Sequence, residues 1–139
     1  MIYYELKIES DDDTIEITEP NKIYAAKVSL QTVNYGTQKK SNAILTTMSI
    51  YGVIDETTND SLLKISEWAR DLNGATTYRK VTLTVKSDDN GKILRTYEVP
   101  YMFVDDYDEL YNSPEDKLET CFELELSQLE NRLKEFNTY

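Results

Sequence analysis

Histidine is absent from this chain of 139 residues. The most frequent general base and metal-ligating side chain is therefore missing, which removes Ser–His–Asp and Cys–His catalysis. One cysteine, Cys121, rules out an internal disulfide and a Cys-x-x-Cys pair, so no oxidising compartment is implied. In its alternating run Cys121 reads as a small core residue. Four glycines leave no Walker loop and no Gly-x-Gly-x-x-Gly. No apolar run approaches the ~18 residues of a membrane span. Met1–Glu5 carries neither the basic nor the apolar region of a secretory signal, so cytoplasmic synthesis is expected, with any export left to a signal-independent machine. Basic residues are also scarce. Lys plus Arg number 15 against 26 Asp plus Glu, a formal charge of −11. Such a surface argues against a stable grip on nucleic acid and against an anionic membrane.

What is present is β-sheet machinery. The length fits one domain, able to bury roughly 70% of the surface its unfolded chain exposes. Eleven tyrosines are many for this size, and tyrosine favours strands and interfaces. Val81, Leu83 and Val85 alternate with Thr82, Thr84 and Lys86, the period of a half-buried strand. Asp89-Asn90-Gly91 supplies a hairpin turn, because a type I′ turn needs positive φ at both central residues. The return strand runs from Lys92 to Val99. Pro100 marks a strand end, an edge or a bulge. Tyr101–Val104 resumes an extended run that Asp105, Asp106, Asp108 and Glu109 close.

Ile2–Glu9 and Thr14–Thr18 alternate as strands around an Asp11–Asp13 turn. Ile23–Val33 is a third extended run. Ala43–Ile54 is a central strand, with Gly52 as a bulge. Asp60 or Ser61 caps a helix over 61–72, with Leu62, Ile65, Trp68 or Ala69 and Leu72 as one apolar stripe and Gly74 as its stop. Trp68 plugs this helix against the sheet; the alternative is a ligand-stacking role. Lys117–Ser127 sets Phe122, Leu124 and Leu126 against an acidic face. Leu129, Leu133 and Phe136 then space as a short C-terminal helix or a docking arm. The helix–sheet core is assigned to Leu62, Ile65, Trp68, Val81, Leu83, Val85, Phe103, Phe122, Leu124 and Leu126.

The pattern predicts a mainly β (α+β) fold. It is a small antiparallel β-barrel or two-sheet sandwich of about seven strands with one flanking helix. Residues 1–128 form the domain and 129–139 a tail or arm. Calcium binding by Asp11–Asp13 lacks the glycine and distal glutamate of a calcium loop. The four acids at 105–109 read as a solvated face. No cofactor, metal or catalytic residue is assigned. The polar segment Asn34–Asn42 is a loop tip or a contact loop, with Asn34, Tyr35, Gln38, Lys39 and Lys40 as its contact residues.

The order of helix, strand, Asn-Gly turn, strand, acidic segment and final strand resembles the tail-tube family. That family includes the tube proteins of contractile phage tails and the Hcp proteins of type VI secretion. The resemblance is closer to small tail-tube-like proteins of Firmicutes. It is carried by Ser41–Leu45, Leu63–Trp68, Tyr78–Val81, Arg95–Tyr97, Pro100, Phe103–Asp105, Tyr107 and Phe122-x-Leu124-x-Leu126. It implies a two-sheet β-barrel flanked by a helix, assembled as hexameric rings that stack into a hollow tube. It also implies sheath, spike or baseplate partners, no active site, and a place in a virion-like particle or secretion apparatus. Within it, the 34–42 loop would reach a neighbouring subunit, with Lys39 and Lys40 against Asp11–Asp13 of the next ring. The competing expectation is a non-catalytic β-sandwich binding or adaptor module, marked by an exposed Trp68 and a tyrosine-lined groove.

Overall fold

The structure is a computed structural model that describes residues 1–32, 44–87, 90–112, 120–129 and 136–139. Its elements are β1 (Ile2–Glu9), β2 (Thr14–Ile17), β3 (Ile23–Thr32), β4 (Ile44–Val53), α1 (Asn59–Ala69), β5 (Arg79–Ser87), β6 (Ile93–Leu110), β7 (Cys121–Gln128) and β8 (Asn137–Thr138). All strands share one antiparallel sheet in the order β2-β1-β5-β6-β7-β4-β3, with β8 added to β6. The mainly β fold with one flanking helix is as expected. The sheet is not closed into a barrel, since β2 and β3 end it without pairing to each other.

One strand organises the sheet. Of the readings open at Pro100, strand end, edge or bulge, the bulge holds, and β6 runs on through it for 18 residues. Arg79 pairs with Met102 and Val81 with Val99, so Lys80 alone faces Pro100 and Tyr101. This is a β-bulge, which increases local twist and bends the strand. Tyr101 adopts φ 59°, in the left-handed region. The bulge carbonyls are satisfied from β7 and the residue after it: Gln128 Nε2 donates to Pro100 O at 3.1 Å and Leu129 N–H to Tyr101 O at 2.8 Å. On one side of the bulge β6 pairs with β5, and on the other with β7. The two halves of the sheet thereby contribute to one core. Leu6, Ile8, Val81, Leu83 and Val99 of the first half join Met48, Ile50, Phe122, Leu124 and Leu126 of the second. Strands β1 and β3 are far apart in sheet order yet come into contact, so the sheet has curled on itself.

The acids at 105–109 lie within β6, not in a loop. A second shift of register between Val104 and Asp106 sets Asp105 aside, where its carboxylate accepts from the Ser127 hydroxyl. Gly52 is not itself a bulge. The extra residue is Tyr24 on β3, between Ile23, opposite Gly52, and Ala25, opposite Tyr51. Gly52 is required because a Cβ there would lie 2.5 Å from both the Lys22 carbonyl oxygen and the Phe122 ring.

The helix sits earlier than its apolar stripe suggests, over Asn59–Ala69 with Thr58 as N-cap. Asp55 starts it: Oδ1 accepts from the Thr57 and Thr58 amides at 2.9 and 3.2 Å. Asp71 and Asn73 end it. Asp71 Oδ1 accepts from Asn73 N–H (2.8 Å) and Oδ2 from the Thr76 hydroxyl (2.6 Å), while Asn73 Oδ1 accepts from Ala75 N–H (3.1 Å). These side-chain bonds compete with helical ones and turn the chain away. Leu72 is left 96% exposed, outside the stripe, and Gly74 has no role as the stop.

Leu62, Ile65 and Trp68 are buried, and the helix packs on β2 and β6. Val85 and Phe103, assigned to the core, are only partly buried. Val85 lies near the hairpin end, opposite Tyr4 and Arg95. Phe103 projects from the other face than Met102 and meets Tyr78 edge-on, with ring centroids 5.9 Å apart. Asn90 and Gly91 of the hairpin turn have φ 62° and 64°. Asp89 lies outside the described residues, as do Asn34, Tyr35, Gln38, Lys39 and Lys40. Most of the expected C-terminal helix does too; its described end is a strand.

Candidate assembly surface

The two ends of the sheet differ in what covers them. At β2 the helix lies alongside: Ser61 Oγ donates to the Glu16 carbonyl at 2.7 Å, and Lys64 Nζ is 3.2 Å from Asp13 Oδ1. The helix thus blunts one edge. At β3 the sheet ends in ten residues, and no described strand pairs with its outer side. Tyr24 and Leu30 on this strand are more than half exposed. A long edge strand with exposed apolar side chains is a template for pairing with another chain.

The sheet face turned away from the core divides by charge. On the β1–β5–β6 half, opposite charges meet. Lys86 Nζ lies 2.9 Å from Glu5, and Lys80 Nζ 3.3 Å from Glu98. Glu98 is held below the usual carboxylate range, first by the Tyr139 hydroxyl and then by Lys80, whereas Lys86 is raised by its bond to Glu5. On the β6–β7 half, like charges meet: Asp106 faces Glu125 and Asp108 faces Glu123. Asp108 is pushed above its ordinary value, chiefly by the charge of Asp106, then by desolvation. Like charges directly opposite destabilise a ladder, so this half of the face is not arranged for the stability of the single chain.

At the helix end, Trp68 Nε1 donates to the Thr77 carbonyl at 2.8 Å, and the Arg79 guanidinium lies 5.3 Å from the Trp68 ring centroid. Arg79 is 3.9 Å from Asp71. Burial lowers the Arg79 pKa, while the Thr76 hydroxyl and the Asn73 amide hold Asp71 below its usual range. Trp68 is 2% exposed and offers no stacking platform. Cys121 is half-buried on the face away from the core, between Val53 and Leu110.

Among the described residues no group of three or more His, Cys, Asp or Glu is placed to hold a metal ion. No described helix is long and apolar enough to cross a membrane. Two open clefts lie beside the Pro100–Tyr101 bulge (about 380 Å³) and the end of the helix (about 340 Å³). The sequence did not single out Asp55 and Asp71, although an Asp followed within a few residues by Thr-Thr or Asn is the signal for such turns.

No family model and no curated protein sequence matches the chain. Solved structures do. The PVC sheath–tube complex of an extracellular contractile injection system, in its extended state, contains a chain that superposes with a TM-score of 0.63 at 11% identity, covering 99% of this chain and 88% of that one. Hcp1 from Salmonella typhimurium gives 0.57 at 13% identity over 99% and 91%. A chain of the six-fold symmetrised anti-feeding prophage baseplate gives 0.58 at 9% identity over 99% and 92%. Over nearly its whole length, this chain has the fold shared by Hcp1 and by chains of contractile injection systems.

Proposed function

We propose that the chain is a structural, self-assembling subunit of a ring or hollow tube in a phage-tail-like or type VI-like contractile apparatus. The observation that carries this is the near-complete coverage, in both directions, between this fold and chains of a sheath–tube complex, a baseplate and Hcp1. The β3 edge, with whose outer side no described strand pairs, supplies a surface for pairing with a neighbour. Six copies per ring follow by analogy with the six-fold baseplate. Sheath, spike or baseplate proteins are the further partners. The charge of −11 suits a passage that does not retain polyanions. The contact loop Asn34–Asn42 reaches the next ring, with Lys39 and Lys40 against Asp11–Asp13. No catalytic step is assigned. The adaptor alternative loses its aromatic platform with the burial of Trp68.

Native mass spectrometry with negative-stain imaging of the same sample tests this. The expected result is rings of about six copies with an open centre. A monomer of 16.2 kDa that stays monomeric at high concentration, with no rings in the images, overturns it.

A further inference from the structure

Strand β7 accompanies β6 only as far as Met102, and Leu129 N–H then closes on Tyr101. Toward Ile93, the same side of β6 faces away from β5 and receives the end of the chain. Thr138 pairs with Tyr97 and Asn137 with Glu98. Thr96 and Tyr139 exchange backbone hydrogen bonds in both directions. The Phe136 ring meets Tyr97 with centroids 6.3 Å apart, and the Tyr139 hydroxyl donates to Glu98. The slot is thus specified by side chains as well as by the ladder. Its occupant is the chain's own β8, two residues long and exposed. Leaving the slot breaks no other pairing of the sheet. Ile93 and Leu94 beside it stay about half exposed.

We propose that this slot is an exchange site, in which residues 136–139 of a second copy replace the chain's own. The proposal rests on the self-assembly reading, which brings copies side by side. An exchanged segment makes the same contacts in its neighbour's slot, so exchange costs no contact energy and is decided by proximity. Six residues, 130–135, separate Leu129 from Phe136. Fully extended, a stretch of that length spans at most roughly 20 Å. Each copy then straps its neighbour without any new interface chemistry.

The test uses the full chain with Cys121→Ser, so that only introduced thiols react. Glu98 and Asn137 face each other across the ladder, within the usual span of a disulfide. One protein carries Glu98→Cys, a second Asn137→Cys, and a third both. The single variants are mixed at high concentration, oxidised and run without reductant, and the double variant is oxidised alone. Exchange predicts a covalent pair of the two single variants and a ladder of linked chains from the double variant. A double variant that yields only internally linked monomers, with no cross-linked pair in the mixture, overturns the exchange. Rings seen by native mass spectrometry in that same sample would leave the tube reading standing; their absence would remove both. Circular dichroism of each variant confirms that the sheet has formed.

Discussion

Asp108 lies directly opposite Glu123 across the β6–β7 ladder, beside the equally like-charged pair of Asp106 and Glu125. Four carboxylates therefore share one face of two adjacent strands. Asp108 holds its proton more strongly in the folded chain than an ordinary aspartate, because Asp106 repels its charged form. A raised folded pKa means that the native state binds more protons, so stability is gained as pH falls and lost as pH rises through that value. Asp108→Asn should stabilise the folded chain at neutral pH, and the gain should disappear in mildly acidic buffer. Urea unfolding of both proteins at several pH values checks this.

Asp55 has the opposite sign. Lys22 Nζ at 2.7 Å and the Thr57 hydroxyl at 2.7 Å, with neighbouring amides, hold its carboxyl far below the usual range. Its contribution is complete above the unfolded pKa of an aspartate and is lost as pH falls toward the depressed folded value. Asp55→Ala should cost about 1–2 kcal/mol at pH 7 through loss of the turn that starts the helix. Lys22→Met should cost less, because the Asp55 bonds to Thr57 and Thr58 survive. Denaturant titrations at pH 7 and in strong acid should show the Asp55→Ala deficit shrinking in acid.

Gly52→Ala should destabilise by about 1–3 kcal/mol, since the added methyl meets the Lys22 carbonyl and the Phe122 ring. Gly74→Ala is the control. Its Cβ would meet nothing within 4 Å and its φ is not positive, so the change should be neutral or slightly stabilising. Thermal melts should place Gly52→Ala below the parent and Gly74→Ala at or slightly above it.

Trp68→Phe should cost about 1–3 kcal/mol, because the Thr77 carbonyl loses its donor and Arg79 its stacking partner. As the only tryptophan, Trp68 also reports on the core: its emission should shift to longer wavelength on unfolding. An unchanged urea midpoint for Trp68→Phe would show that the indole hydrogen bond and the Arg79 contact add nothing to stability.

Leu30→Lys should leave the single chain folded and weaken assembly. The side chain is 57% exposed on the β3 edge, with whose outer side no described strand pairs and where a charge opposes strand pairing. Native mass spectrometry should show a shift toward monomer, with unchanged circular dichroism.

The chain's period-two stretches declared β1, β2, β3, β5 and β7, and a continuous apolar run rich in β-branched residues declared β4, because both are properties of near neighbours, legible without partners. Asn90-Gly91 declared its turn because few residues tolerate positive φ twice in succession. The absence of histidine narrowed the chemistry before any fold was known. Two boundaries were settled by hydrogen bonds that the alternation does not show. Pro100 allowed a strand end, an edge or a bulge; the bulge holds and β6 continues, with Gln128 and Leu129, nearly thirty residues on, satisfying its carbonyls. Leu72 fits the helical stripe, yet the side chains of Asp71 and Asn73 bend the chain away before it.

Only the tertiary structure decided how the strands are ordered and what each edge meets. In the sequence, Asp106 and Asp108 are part of an acidic stretch, and Glu123 and Glu125 alternate in a later strand. Register alone sets them opposite each other. Likewise nothing in their alternation tells the two sheet ends apart, but Ser61 and Lys64 of the helix meet β2, while no described strand pairs with the outer side of β3. Periodicity is fixed by residues a few positions apart. Pairing, burial and edge exposure depend on residues dozens of positions apart, whose meeting the folded chain alone determines.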